Sequence, residues 1–195
     1  MSQIIRGKIV LQLQFIDMIV NNYRKSFSQT NIITKLFKVV LVKNPKDGDC
    51  YHINAKPALI ASLNSEKFNS FKSKSFHLDN YCFDSNPENN LFWTLLHDQT
   101  IEKVWFTGKL THGQTDFVIN YIDSNSHTVR SYYPDFLIQK LDGSYVIIEV
   151  KGDNMIDDEV VKAKAEYATQ LATARNMTYK MIKGLDAMNG VGYII

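Results

Sequence analysis

Apolar and polar positions alternate near the start of the chain, where Leu11, Leu13 and Phe15 keep strand period. Ile16, Ile19, Val20 and Tyr23 then recur at helical spacing, which predicts a helix over about 14–27. Residues 31–43 (NIITKLFKVVLVK) fit a helix or a strand, and Asn44-Pro45-Lys46-Asp47-Gly48 reads as a turn. Residues 51–79 are weakly patterned. Beyond Asp84, Ser85 or Asn86 is placed to cap a helix that tolerates Pro87 in its first turn. That helix runs to about His97, with Leu91, Phe92 and Leu95 inward. Strands are predicted over 101–107, 116–121, 129–139 and 144–150, the last two joined by an Asp142-Gly143 hairpin turn. The run Val146-Ile147-Ile148 predicts a central strand buried on both faces. Gly152 ends it. A helix over 157–175 carries Val160, Tyr167, Leu171 and Ala174 as its inward stripe. A strand follows over 177–183, and the tail GVGYII adds another.

This order of elements predicts an α/β fold, a mixed sheet of four or five strands flanked by helices. The core occupies 81–195, behind a helical or mixed N-terminal extension over 1–80. The 195 residues suffice for one domain of ordinary size, and 45% hydrophobic with 22% charged residues is the make-up of a globular chain.

Charge changes this picture more than composition does. The net +2 conceals 12 Lys/Arg against 5 Asp/Glu in residues 1–80 and 10 against 15 in 81–195. A basic half suits a phosphate backbone, and an acidic half suits divalent cations. The N-terminus lacks a clean apolar core with a cleavage site, and no stretch of eighteen uncharged apolar residues occurs. No signal peptide, no membrane span and a cytoplasmic location are therefore expected. Cys50 and Cys82 form no CxxC pair and point to free thiols in a reducing compartment. The histidines, His52, His77, His97, His112 and His127, show no HxH or HExxH spacing, so a zinc site is not expected.

The candidate chemistry lies on the hairpin. Glu149 and Lys151 are two apart on the second strand and share a face, while Val150 points the other way. Asp135, on the first strand, comes alongside across the Asp-Gly turn. Close carboxylates repel unless a cation joins them. Oxygen ligands with open positions suit Mg²⁺, with Mn²⁺ as a substitute, and such an ion polarises a phosphoryl oxygen and activates water. A lysine beside it stabilises developing negative charge. An isolated Glu-x-Lys is common by chance. Here it ends a strongly apolar strand, one hairpin after a Pro-Asp, where charge is hard to explain as decoration.

Residues 132–152, YYPDFLIQKLDGSYVIIEVKG, resemble the core of the PD-(D/E)xK nuclease superfamily. The form is most similar to the C-terminal endonuclease domain of type III restriction Res subunits. The endonuclease subunit of Tn7-like transposition machinery is similar too. The resemblance covers about 85–170. It implies a metal-dependent endonuclease of double-stranded DNA. Asp135, Glu149 and the Val150 carbonyl would hold the metal, and Lys151 would assist the water. Glu88, one turn into the helix before the sheet, would be a further ligand, although an acid there also suits the helix N-terminus. On the later helix, Lys162 and Glu166 form a solvated pair and Lys164 is the candidate DNA contact. Asp153, Asp157 and Asp158 cap the helix rather than bind metal. Trp93, Trp105, Tyr132 and Tyr133 have spacings that suit core packing better than base stacking. The restriction setting implies a translocase or methyltransferase partner and admits a homodimer. No Walker-type glycine loop occurs, so an ATP-driven motor would lie elsewhere. The alternatives are a transposition endonuclease subunit and a non-catalytic DNA-binding module of the same fold.

Overall fold

A computed structural model describes residues 2–5, 9–16, 34–46, 51–62, 64–75, 80–111, 113–123 and 126–193, with side chains from Leu41 onward. Four strands build the central sheet: β7 (Ile101–Phe106), β10 (Phe136–Lys140), β11 (Tyr145–Lys151) and β12 (Met177–Lys183), in the order β12-β11-β10-β7. β11 is antiparallel to β10 and parallel to β12, so the sheet is mixed. A parallel neighbour requires a crossover, and helix α2 (Glu159–Thr173) supplies it. Helix α1 (Asn86–His97) precedes the sheet, and the short α3 (Gly184–Met188) follows it and packs on α1. The remaining strands form two-stranded ladders. β1 (Ser2–Ile5) pairs β4 (Tyr51–Asn54), and β2 (Ile9–Ile16) pairs β3 (Thr34–Val42). β5 (Ile60–Ser62) pairs β6 (Asn80–Cys82), and β8 (Ile119–Ile122) pairs β9 (Val129–Tyr132).

The hairpin expected from the sequence forms. Asp142 takes the Ser144 N–H at its Oδ1, and Gly143 adopts φ +83°, a left-handed conformation that glycine reaches without strain. Val146, Ile147 and Ile148 are all buried, as a central strand requires. The strand predicted over 129–139 is interrupted. β9 ends at Tyr132 and β10 begins at Phe136, because Pro134 has no N–H to offer a ladder. Asp135 therefore sits at the bend entering β10, not inside a strand. The strand predicted over 116–121 begins only at Ile119.

Two further expectations are corrected and one open reading is decided. Residues 14–16 of the helix predicted over 14–27 belong to strand β2, and the rest of that helix lies outside the described residues. The 31–43 segment, open to either reading, is strand over Thr34–Val42. The tail forms no strand up to Tyr193. After α3 the chain turns through Gly190 at φ +66° and Gly192 at φ +84°.

The core is rich in aromatic rings. Phe92 of α1 lies 4.7 Å from Tyr81 and 5.2 Å from Phe83 between ring centroids. Phe83 lies 4.7 Å from Phe106 of β7, and Phe106 lies 5.0 Å from Phe136 of β10. This chain of rings fixes α1 against the sheet and ends on the residue next to Asp135. Leu41, Val42 and Phe68 enter the same buried cluster from the N-terminal part.

Candidate active site

Asp135 and Glu149 meet where β10 and β11 begin to diverge. Phe136 stands opposite Ile148, so Asp135, one residue earlier, stands beside Glu149. The Val150 N–H donates to Asp135 Oδ2 at 2.8 Å. The Asp135 main chain is held by the turn after β7. Thr107 N–H and Gly108 N–H both donate to the Asp135 carbonyl, at 2.7 and 3.2 Å, and Thr107 Oγ1 donates to the Pro134 carbonyl at 2.7 Å.

Glu149 is 3% exposed. Its Oε1 pairs with Lys151 Nζ at 2.5 Å, while its Oε2 is buried without a hydrogen-bond partner. Burial raises the Glu149 carboxyl above the usual carboxylate range, against the pull of Lys151. Asp135 is raised further, by burial first and then by the charges of Glu149 and Glu88. Burial alone would lower Lys151, but Glu149, Asp135 and Glu88 outweigh it and hold the ammonium charged.

Glu88 is 8% exposed and closes the first turn of α1. The pattern Ser85-x-x-Glu88 forms a variant of the capping box, in which the carboxylate takes the Asp84 N–H in place of the N-cap N–H. Ser85 Oγ donates to Glu88 Oε1 at 2.7 Å, the Asp84 N–H donates to Oε2 at 2.9 Å, and Ser85 accepts from the Glu88 N–H. Both carboxylate oxygens are thus engaged in the cap, yet the charge is felt at Asp135 and Lys151.

The structure therefore brings together Asp135, Glu149, Lys151 and, through its charge, Glu88. Lys164 joins them. It leans over the Tyr121 ring, 5.4 Å from its centroid, and its charge reaches Glu149. The inward face of α2 is wider than expected. Val160, Tyr167 and Leu171 are half-buried and packed against the core, Val161, Ala168 and Ala172 are fully buried beside them, and Ala174 is half-buried. Asp158 caps α2 by accepting from the N–H groups of Val160 and Val161, as expected. Asp153 accepts from the Leu185 N–H instead of capping α2. Lys162 pairs with Asp157 at 3.4 Å rather than with Glu166, which accepts from Gln170. Trp105 and Tyr132 are buried, whereas Trp93 and Tyr133 are half-buried.

Two features escape a reading based on charge. Thr107 and Gly108 carry none, although a glycine directly after a strand marks a turn or a close approach. Lys183 lies beside Lys151 in the β11–β12 register, visible only once the parallel pairing is known. A surface hollow of about 420 Å³, lined by Trp93, Thr94, His97, Asp98 and Tyr193, lies at the opposite end of α1 from Glu88.

Among the described residues no three Asp, Glu, His or Cys side chains stand together as a ready ligand cluster. The donor set nevertheless fits a hard divalent ion. Magnesium keeps several waters and needs only one or two carboxylates. Asp135 and Glu149 supply two, and the unpartnered Oε2 of Glu149 is a buried acceptor awaiting a positive group. Lys151 meets part of that need in the present arrangement.

The raised carboxyls have a consequence for stability. A carboxyl raised on folding binds protons that the unfolded chain releases. Its contribution is full below the unfolded value, about 4, and is lost as pH rises through the folded value. With divalent ions chelated, the melting temperature is expected to fall as pH rises above the usual carboxylate range. Asp135→Asn should blunt that fall. Melting curves across pH, with and without Mn²⁺, check it, and a native profile that rises with pH where these groups titrate would contradict it.

The fold and site define a class: a nuclease-like α/β domain with two carboxylates and a lysine at one end of the two central strands. Residues 111–184 match the family model described as TnsA-like endonuclease N terminal. The matched segment, under half of the chain, contains β8 to β12 and with them Asp135, Glu149, Lys151 and Lys164. The chain is thus similar to TnsA-like endonucleases over this segment. No curated protein matches it. Among the described residues no helix is long and apolar enough to cross a membrane.

Proposed function

We propose that the protein is a metal-dependent endodeoxyribonuclease that hydrolyses phosphodiester bonds of double-stranded DNA. The observation that carries this reading is the pairing of Asp135 with Glu149, the latter buried with one carboxylate oxygen unpartnered, beside Lys151. Asp135, Glu149 and the Val150 carbonyl hold Mg²⁺, with Mn²⁺ as a substitute, and Glu88 supplies a third carboxylate. A divalent ion held there neutralises the paired carboxylates and polarises a phosphoryl oxygen. Lys151 orients the attacking water and stabilises charge developing on the phosphate. Lys164 holds the DNA backbone, and the basic 1–80 region adds contacts to DNA or to a partner subunit. The hairpin, buried on both faces of β11, keeps these groups in fixed relation.

The family match favours a transposition setting, in which cutting depends on transposition proteins. A restriction setting would need a translocase or methyltransferase subunit instead, and reconstitution with each kind of partner separates the two.

The test is nicking of supercoiled plasmid in Mg²⁺ or Mn²⁺ by native protein and by Asp135→Ala. Metal-dependent nicking lost in the variant supports the reading. Nicking that survives Asp135→Ala refutes the site. DNA binding without nicking, with or without partners, would favour a non-catalytic module of the same fold.

A further inference from the structure

The Thr107-Gly108 turn holds the Pro134-Asp135 main chain by hydrogen bonds, yet carries no charge of its own. Two of its N–H groups share the Asp135 carbonyl, and the Thr107 hydroxyl takes the Pro134 carbonyl. These bonds stop the proline-broken segment between β9 and β10 from drifting. They leave the Asp135 carboxylate itself to be placed by something else.

Oδ2 is placed by the Val150 N–H. Oδ1 lies over Gly108. A Cβ built at Gly108 would stand 2.9 Å from Asp135 Oδ1 and 3.0 Å from the Phe106 ring. The ring cannot retreat, because Phe83 and Phe136 pack against it at 4.7 and 5.0 Å. Gly108 does not have a left-handed backbone. Its lack of a side chain is therefore used for space and not for conformation.

We propose that Thr107 and Gly108 are the positioning residues of the Asp135 carboxylate. Thr107 fixes its main chain, and Gly108 leaves the room in which Oδ1 stays turned toward an incoming cation. The inference rests on the metal-dependent reading above and extends it to two residues that touch neither metal nor DNA. A methyl group at 108 is trapped between a pinned ring and a carboxylate, so the carboxylate moves. Misplacing a group that orients or supports a metal ligand typically costs about 10–100-fold in metal affinity.

The experiment is calorimetric titration of Mn²⁺ into the full chain, native and Gly108→Ala, beside thermal melts without metal. The expected result is native binding, roughly tenfold or greater weakening in Gly108→Ala, and a metal-free melting temperature close to native. Nicking by the variant should need correspondingly more Mn²⁺ and recover much of its rate at saturation. A merely structural glycine would instead lower the metal-free melting temperature and leave the affinity unchanged. Native-like affinity in Gly108→Ala overturns the proposal while the nuclease reading stands. Should that variant fail to fold, Thr107→Val decides. It keeps the space but frees the Pro134 carbonyl, and weaker Mn²⁺ binding supports the proposal where unchanged binding overturns it. Native protein that takes up no ion and nicks no DNA removes the metal reading and this proposal together.

Discussion

Lys151→Met is expected to reduce plasmid nicking by about two to three orders of magnitude, the range for removing one transition-state donor. Methionine keeps most of the length of the stem and removes only the ammonium. In the native protein that ammonium lies 2.5 Å from Glu149 Oε1 and is held charged by three surrounding carboxylates. Binding of DNA should change little, because Lys164 and the basic N-terminal region, the proposed DNA contacts, remain. The loss should therefore fall on the maximal rate and spare the apparent affinity for plasmid. The variant also leaves Glu149 buried without its cation, so the metal-free protein should be less stable and Mn²⁺ should recover much of that stability. The comparison is made in metal, at a temperature where both proteins are folded. Native-rate nicking by Lys151→Met would remove this lysine from the chemistry.

The second large effect is on folding. Phe92→Ala is expected to lower stability by about 3–5 kcal/mol, as for other buried Phe truncations. Phe92 is fully buried and is surrounded by Phe68, Tyr81, Phe83 and Trp93. Its loss leaves a void bounded by rings that cannot easily collapse. Urea unfolding gives the measurement, with the slope of the transition compared between the two proteins. A cost below roughly 1 kcal/mol would mean that α1 is not seated on these rings. That would also undermine the placement of Glu88, which enters the site only because this helix is docked.

The hairpin was legible because its signals are local. An Asp-Gly turn and a doubly buried run at 146–148 agree, and the two-residue spacing of Glu149 and Lys151 fixes their common face. The placement of Asp135 was legible to within one element. Its neighbour Pro134 signals a break that the apolar run across 129–139 conceals. The stripe on α2 was legible in part. Val160, Tyr167 and Leu171 pack against the core as expected, but the fully buried positions are Val161 and the small Ala168 and Ala172, which close packing on the sheet admits. Helical spacing in 14–27 drew the reading away from a strand that Leu11, Leu13 and Phe15 had already marked. A two-stranded ladder with partner residues 18 to 33 positions away leaves little trace in a short window. The Thr107-Gly108 turn was missed because its contribution is an empty space and a set of main-chain bonds. Neither has a side-chain signature.

The parallel pairing of β11 with β12 also bears on how the protein is made. Asp135, Glu149 and Lys151 have all been synthesised by residue 151, but β11 gains its second neighbour only when 177–183 are available. Until then the strand carrying Glu149 is an open edge with an apolar run, the form of strand most exposed to wrong pairing. Met181, the register partner of Glu149, and Lys183, that of Lys151, are made some thirty residues after the strand they cover. A polypeptide that stops before β12 would therefore leave the Glu149 strand unpaired on that side, which makes it a candidate for aggregation.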